Sequence, residues 1–214
     1  MFTPDLPGHG HAPLGAGLDL ESAVQGVVEY LPRAAVVVGW SLGGLVAIRL
    51  ASRFPGRVAR LALVATNPRF TRAGDWPRGV DPAVLATFAE GLVEDPAGTL
   101  KRFLALQVRG GDQLGTSLRR LREALEAGGA PDEEALRQGL ALLAREDLRA
   151  ELQGLRLPVS LLLGARDTIV PVGVGEAMTQ LMPDLRVETV PGAAHAPFLS
   201  HPQGFAGWLE RLRE

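Results

Sequence analysis

Ser41 stands in Gly39-Trp40-Ser41-Leu42-Gly43, a GxSxG pattern that follows an apolar run, Ala34 to Gly39, and precedes a helical stretch, Gly44 to Phe54. In that context the pattern describes a sharp strand-to-helix turn that lifts a serine hydroxyl clear of the sheet. Small residues two positions before and after the serine let strand and helix approach, and Gly39 and Gly43 are expected to serve that need. The Leu42 backbone N–H, at the start of the helix, is placed to stabilise an oxyanion. The bland alternative is a tight turn with an idle serine.

A serine hydroxyl is a poor nucleophile at neutral pH and needs a base, which in turn needs an orienting carboxylate. The four histidines are His9, His11, His195 and His201. His195 lies in Pro191-Gly192-Ala193-Ala194-His195-Ala196-Pro197-Phe198, after the last expected strand, and is the candidate base. His201 precedes Pro202 and is expected to contact or cap the terminal helix. His9 and His11 lie in a Gly/Pro-rich loop, either exposed or packed near the site. Asp167, just past an apolar strand at Val159 to Leu163, is the candidate acid. Asp184 competes, but it follows a helix end and precedes a strand, which puts it at the opposite edge of the sheet. A loop histidine satisfied locally and a surface aspartate are the alternatives for His195 and Asp167.

The elements that must position these residues alternate. Apolar, β-branched runs at Ala34 to Gly39, Arg60 to Ala65 and Val159 to Leu163 read as strands, as does the stretch Arg186 to Val190. Helical patterns lie at Gly44 to Phe54, Val174 to Met182 and Phe205 to Arg213. Such alternation predicts an α/β fold with a mostly parallel sheet flanked by helices. Residues 67–156 carry helical stretches instead, at Pro82 to Val93, Thr99 to Val108, Gly115 to Ala127 and Asp132 to Arg145. They are expected to form a helical cap over a core made of residues 1–66 and 157–214.

With 214 residues, 46% of them apolar, the chain can bury a sizeable core. Its formal charge of -2 offers no general field for a nucleic acid backbone. The absence of cysteine removes disulfides, thiolate zinc sites, iron–sulfur clusters and thiol chemistry. No apolar run approaches the roughly 20 residues of a membrane span, and MFTPDLPGHGHAP lacks a signal-peptide pattern, so a cytoplasmic protein is expected.

Taken together, Asp5-Leu6-Pro7-Gly8-His9-Gly10, the GWSLG turn, the Gly164-Ala165-Arg166-Asp167 segment and GAAHAPFLSHP resemble the α/β-hydrolases, in which the triad also runs serine, acid, histidine along the chain. More closely, GWSLGGLVA at 39–47, Arg102-Phe103-Leu104-Ala105-Leu106-Gln107 and AAHAPFLSHP at 193–202 resemble the BioH-type esterases of biotin synthesis, which cleave the methyl ester of pimeloyl-acyl-carrier protein. The resemblance implies Ser41 as nucleophile, Asp167 as orienting acid, His195 as base and Leu42 as oxyanion donor. It also implies that Phe103, Leu104, Ala105, Leu106 and Gln107 line an acyl pocket with Ser41, Leu42 and His195. No metal or organic cofactor is called for, and a monomer is expected.

Between Gly98 and Arg122 six basic residues face one acid, Asp112, a local charge of +5. Arg102 and Arg109 are seven apart and Arg119 and Arg122 three apart, so each pair can share a helix face. An acidic carrier protein would be steered to such a patch. A solvated face paired to Glu123, Glu126 and the acids at 132–134 is the alternative. Gly98 and Gly115 stand where the resemblance implies further arginines.

In the resembled fold the DxPGxG segment follows several strands and an HGxG-type loop that supplies a second oxyanion N–H. Here Asp5 is almost the first residue, so the first strands are expected to be missing and the strand at 34–39 to have an unpaired edge. The expectation is an N-terminally shortened hydrolase, with Met1 at a misassigned start. Losing one oxyanion donor typically costs about 2.7–4 kcal/mol of transition-state stabilisation. Two other functions therefore stand beside the carrier-protein esterase: a broad short-chain carboxylesterase, and a catalytically silent hydrolase-like binding protein. An aspartate nucleophile of the dehalogenase kind is disfavoured, because Ser41 occupies that position.

Overall fold

The computed structural model describes residues 2–212, so Met1 and the expected helix end at Arg213 lie outside the described residues. Four strands, β1 (Ala35–Trp40), β2 (Val58–Val64), β3 (Val159–Gly164) and β4 (Arg186–Val190), form one parallel sheet in the order β1-β2-β3-β4. The neighbour-to-neighbour order means that every crossover steps the same way across the sheet. Right-handed crossovers then put the connecting helices on one face.

That face carries the main core. The pleat turns Leu61 and Leu63 of β2 and Leu161 and Leu163 of β3 toward Leu45 and Ile48 of α2 (Leu42–Arg53) and Met178 of α8 (Gly173–Leu181). Their alternates, Ala62, Val64 and Leu162, pack on the other face against Trp208 and Leu212, at the end of the chain where α10 runs (Pro202–Arg211). α10, which follows the single turn α9 (Pro197–Ser200), starts three residues before the expected Phe205, because Pro202 at its first turn has no N–H to lose there.

β1 is a continuous apolar run of the kind that parallel sheets bury on both faces, yet only one of its faces is buried. It pairs only with β2, and Val36 and Val38 are 43% and 46% exposed while Val37 between them is buried. On the α10 face of β1 only Trp40 joins the packed cluster, so a continuous apolar run is half solvent-facing at the sheet edge.

Sequence reading missed α1 (Leu20–Val28), which packs Leu20, Ala23, Val24 and Val28 into the main core. The signal was present. Asp19 accepts from the Ser22 N–H while the Ser22 hydroxyl accepts from the Asp19 N–H, a reciprocal cap three residues apart.

Between β2 and β3 lie α3 (Pro82–Glu94), α4 (Pro96–Val108), α5 (Leu114–Gly128), α6 (Glu133–Arg145) and α7 (Arg149–Gly154). α3, α4 and α6 each start at an aspartate that accepts first-turn N–H groups: Asp81 from Ala83, Asp95 from Gly98, Asp132 from Glu134 and Ala135. Where the insert returns to the sheet, Arg149 binds Asp75 and Asp147 at 2.8 and 2.6 Å and lies 5.3 Å over the Trp76 ring. The Arg149 hydrogen bond holds the Asp147 carboxyl down at about 2. Among the described residues no helix is long and apolar enough to cross a membrane.

Candidate active site

The parallel sheet brings three chain segments to one edge. Ser41 follows β1, Asp167 follows β3 and His195 follows β4, so all three leave carboxyl ends of strands, where open α/β sheets hold their ligands. Asp184 precedes β4, is exposed, and lies at the other end.

Ser41 has φ 52° and ψ -120°, a strained conformation for a residue with a side chain. The strain is sustained by close packing on either side. A Cβ on Gly39 would lie 2.5 Å from the Gly43 carbonyl oxygen and 2.7 Å from the Gly44 Cα. The expectation that Gly43 also serves this approach is corrected: a Cβ there meets nothing within 4 Å. The second crowded glycine is Gly44, whose Cβ would lie 2.0 Å from the Thr66 hydroxyl of the segment after β2. Helix geometry explains the shift, since position 43 points away from the neighbouring strand end and position 44 toward it. Gly39→Ala is expected to destabilise the protein by about 1–3 kcal/mol, whereas Gly43→Ala stays near neutral. Thermal denaturation of both checks this, and equal losses would contradict the assignment.

His195 is 1% exposed and Asp167 6%. The imidazole Nε2 lies 2.9 Å from the Ser41 hydroxyl oxygen, and Nδ1 lies 2.7 Å from Asp167 Oδ2. Asp167 Oδ1 accepts the N–H groups of Ile169 and Val170 at 2.8 and 2.9 Å. With one carboxylate oxygen held by backbone, the other is left for the histidine. That fixes Nδ1 as the protonated nitrogen and presents a bare Nε2 to the serine. Leu42 is the first residue of α2, so its N–H has no carbonyl one turn back within the helix to bind.

Beside Ser41 a mostly apolar cavity of about 600 Å³ opens between the sheet edge and the insert. Phe103, Leu104 and Gln107 of α4 line it, together with Ser41 and Leu42. Ala105 and Leu106 do not, which corrects the expectation for the whole stretch: Ala105 is exposed and Leu106 half-buried. A helix advances 100° per residue, so 103, 104 and 107 share a face with Thr99 and Leu100 that 105 points away from and 106 only flanks. His195 closes the chemistry without contributing to the lining.

Several lining residues were not singled out from sequence. Leu121 and Leu125 of α5 and Leu136, Leu140 and Leu143 of α6 recur at helical spacing, which signals a buried face but not what it faces. Trp40 and His9 also line the cavity; the His9 ring nitrogen Nδ1 donates to the Pro7 carbonyl at 3.1 Å. His11 is exposed, and His201 is the residue before α10, where its Nδ1 meets the Ser200 hydroxyl rather than a helix N–H. A second depression, lined by Ala51, Pro55, Val58 and Leu155, lies at the opposite end of β2.

Arg102, Arg109, Arg119 and Arg122 are all exposed on the insert. The expected shared face of Arg102 and Arg109 is not formed as such, since Arg109 is the first residue past α4 and has left helical geometry. Arg102 contacts Asp95 at 3.6 Å and Arg119 contacts Glu123 at 3.7 Å, while Asp112 turns to Arg166. The patch therefore keeps most of its positive charge; of the alternative pairings only Arg119 to Glu123 is made among the described residues, and none to Glu126 or residues 132–134.

Residues 1–208 match the family described as "Alpha/beta hydrolase family". A protein of Nitrosomonas europaea named pimeloyl-[acyl-carrier protein] methyl ester esterase is 43% identical over 213 residues, covering 99% of this chain and 84% of its own length. A protein of Aromatoleum aromaticum with the same name is 43% identical over 97% of this chain and 85% of its own length. Among solved structures, a bromoperoxidase from Bacillus anthracis superposes with a TM-score of 0.88 at 21% identity, over 98% of this chain and 80% of that one, a likeness of fold alone.

Proposed function

This chain belongs to the alpha/beta hydrolase family, and from that membership we propose that it is a serine carboxylesterase that hydrolyses the methyl ester of pimeloyl-[acyl-carrier protein], a step of biotin synthesis. The observation that carries the reading is the pairing of 43% identity to esterases of that name with an unbroken hydrogen-bond chain, Asp167 to His195 to Ser41, opening on an apolar cavity.

In this reading His195 takes the Ser41 proton as the hydroxyl oxygen attacks the ester carbonyl. The Leu42 N–H receives the charge that develops on the carbonyl oxygen. The imidazolium then protonates the departing methoxide, methanol leaves, and the acyl chain remains as an ester on Ser41. Water, deprotonated by His195, attacks that ester and releases the free carboxylate. Phe103, Leu104 and Gln107 hold the chain, and the mostly apolar lining suits a run of methylenes.

We place the carrier protein on the insert, at Arg102, Arg109, Arg119 and Arg122, because an acidic partner is steered by a patch of this sign. The enzyme works as a cytoplasmic monomer in this reading.

The test compares the methyl ester of a pimeloyl chain carried on acyl-carrier protein with the same ester on a small thiol. A higher kcat/KM for the carried ester, reduced about tenfold at Arg119→Glu plus Arg122→Glu and weakened by salt, is the expected result. Equal rates would favour a broad short-chain carboxylesterase. Absence of turnover on either, with the chain folded, would favour a silent binding protein.

A further inference from the structure

The Trp40 side chain has no role in the GxSxG pattern, whose second position is free, yet its indole reaches the base. Its Nε1–H donates to the His195 carbonyl at 2.8 Å, and its ring stands edge-on to Phe198 at 5.0 Å. On the other side of the same residue, the His195 N–H donates to the Gln107 carbonyl at 3.1 Å. The backbone of the base is thus gripped twice, once from the sheet by the neighbour of the nucleophile and once from the insert by a residue whose side chain lines the cavity.

The insert side of the grip is extended by the turn after α4. The Asp112 N–H donates to the Gly192 carbonyl at 2.8 Å, and Arg166 donates to Asp112 Oδ1 at 2.7 Å. A Cβ on Gly111 would lie 3.0 Å from the Ala194 Cβ and 3.1 Å from the Ala194 nitrogen, so a methyl group there fits only if the turn or the histidine loop gives by a few tenths of an ångström.

We infer that Trp40 and the turn Gly110–Asp112 are positioning elements for His195, which make the alignment of the base depend on the seating of the insert. The inference rests on the esterase reading above. Trp40 acts through the His195 carbonyl and Gly111 through the Ala194 peptide; neither exchanges a proton. Because Ser41 is covalently next to Trp40, the indole bond closes a loop of contacts from nucleophile to base and back. Small errors in such alignment are costly, since a displacement of about 1 Å removes on the order of 100-fold in rate.

The experiment uses one acyl chain with two leaving groups. Methoxide needs a proton from the imidazolium to depart, whereas p-nitrophenolate leaves without one, so a displaced His195 harms the methyl ester more. Acyl recognition and the fraction of folded enzyme cancel in the ratio of the two rates. Trp40→Phe keeps a ring near Phe198 and removes the donor with the smaller ring of the indole, any change in the cavity wall cancelling in the ratio; Gly111→Ala presses the turn on Ala194. For each, the methyl to p-nitrophenyl ratio of kcat/KM is expected to fall about tenfold or more. Equal losses on the two esters, or none, would overturn the role of the corresponding grip. A parent protein that hydrolyses neither ester overturns the esterase reading itself and the inference with it, which is a different result from an active parent with an unchanged ratio.

Discussion

Ser41→Ala is expected to lower kcat for ester hydrolysis by about 10⁶ with KM little changed. In the proposed mechanism the hydroxyl oxygen is the atom that forms the acyl bond, and among the described residues His195 Nε2, 2.9 Å from it, has no second hydroxyl partner, so in the variant it would have only water to activate. The cavity wall is otherwise kept, so substrate still binds. Active-site titration with an organophosphonate checks the same point, since the variant should not be labelled. A loss below about 100-fold would mean that the chemistry runs through another group.

Asp167→Asn should cost about 10⁴ in kcat at neutral pH while leaving the fold in place. The argument lies in how the carboxylate is held. Oδ1 accepts two backbone N–H groups, from Ile169 and Val170, and an asparagine can keep those only by placing its carbonyl oxygen there. Its NH₂ then faces His195 Nδ1, where the carboxylate oxygen stood at 2.7 Å. The imidazole must present a bare Nδ1 to that donor, so the proton moves to Nε2 and the face toward Ser41 can no longer accept. The orientation that preserves the loop is the one that disables the base. Rates and thermal melting measured together check this: unchanged melting with a loss of less than tenfold would show that Asp167 does not set the tautomer.

Much of this site was legible in the chain because it is built from local signals. The strand, the GxSxG turn and the helix after it are contiguous, so the strained serine can be read from a dozen residues. Asp167 and His195 could be assigned to the same sheet edge as Ser41 because each follows an expected strand, and parallel strands share a direction. Asp184 could be set aside by the same logic, and its place before β4 agrees with it. The resemblance to α/β-hydrolases adds the order of the three residues, and the family itself is matched over residues 1–208.

What could not be read from the chain concerns what a face meets. Periodicity says that α4 has an apolar side, but only the packed structure turns Phe103, Leu104 and Gln107 inward and leaves Ala105 exposed. The crowded glycine after the serine is Gly44, because Thr66, on the neighbouring strand's exit, comes to within 2.0 Å of where its Cβ would be. No local pattern carries that distance. Val36 and Val38 read as core and are half exposed, because burial on that face is decided by where α10 lands. The sequence by itself determined the strained GxSxG turn, the class of chemistry and the family, since those depend on residue type and short spacing. The tertiary structure alone decided the cavity wall and the two-sided hold on His195, since those bonds join residues 155 and 88 positions apart, Trp40 and Gln107 to the base, and exist only once the sheet has ordered its strands.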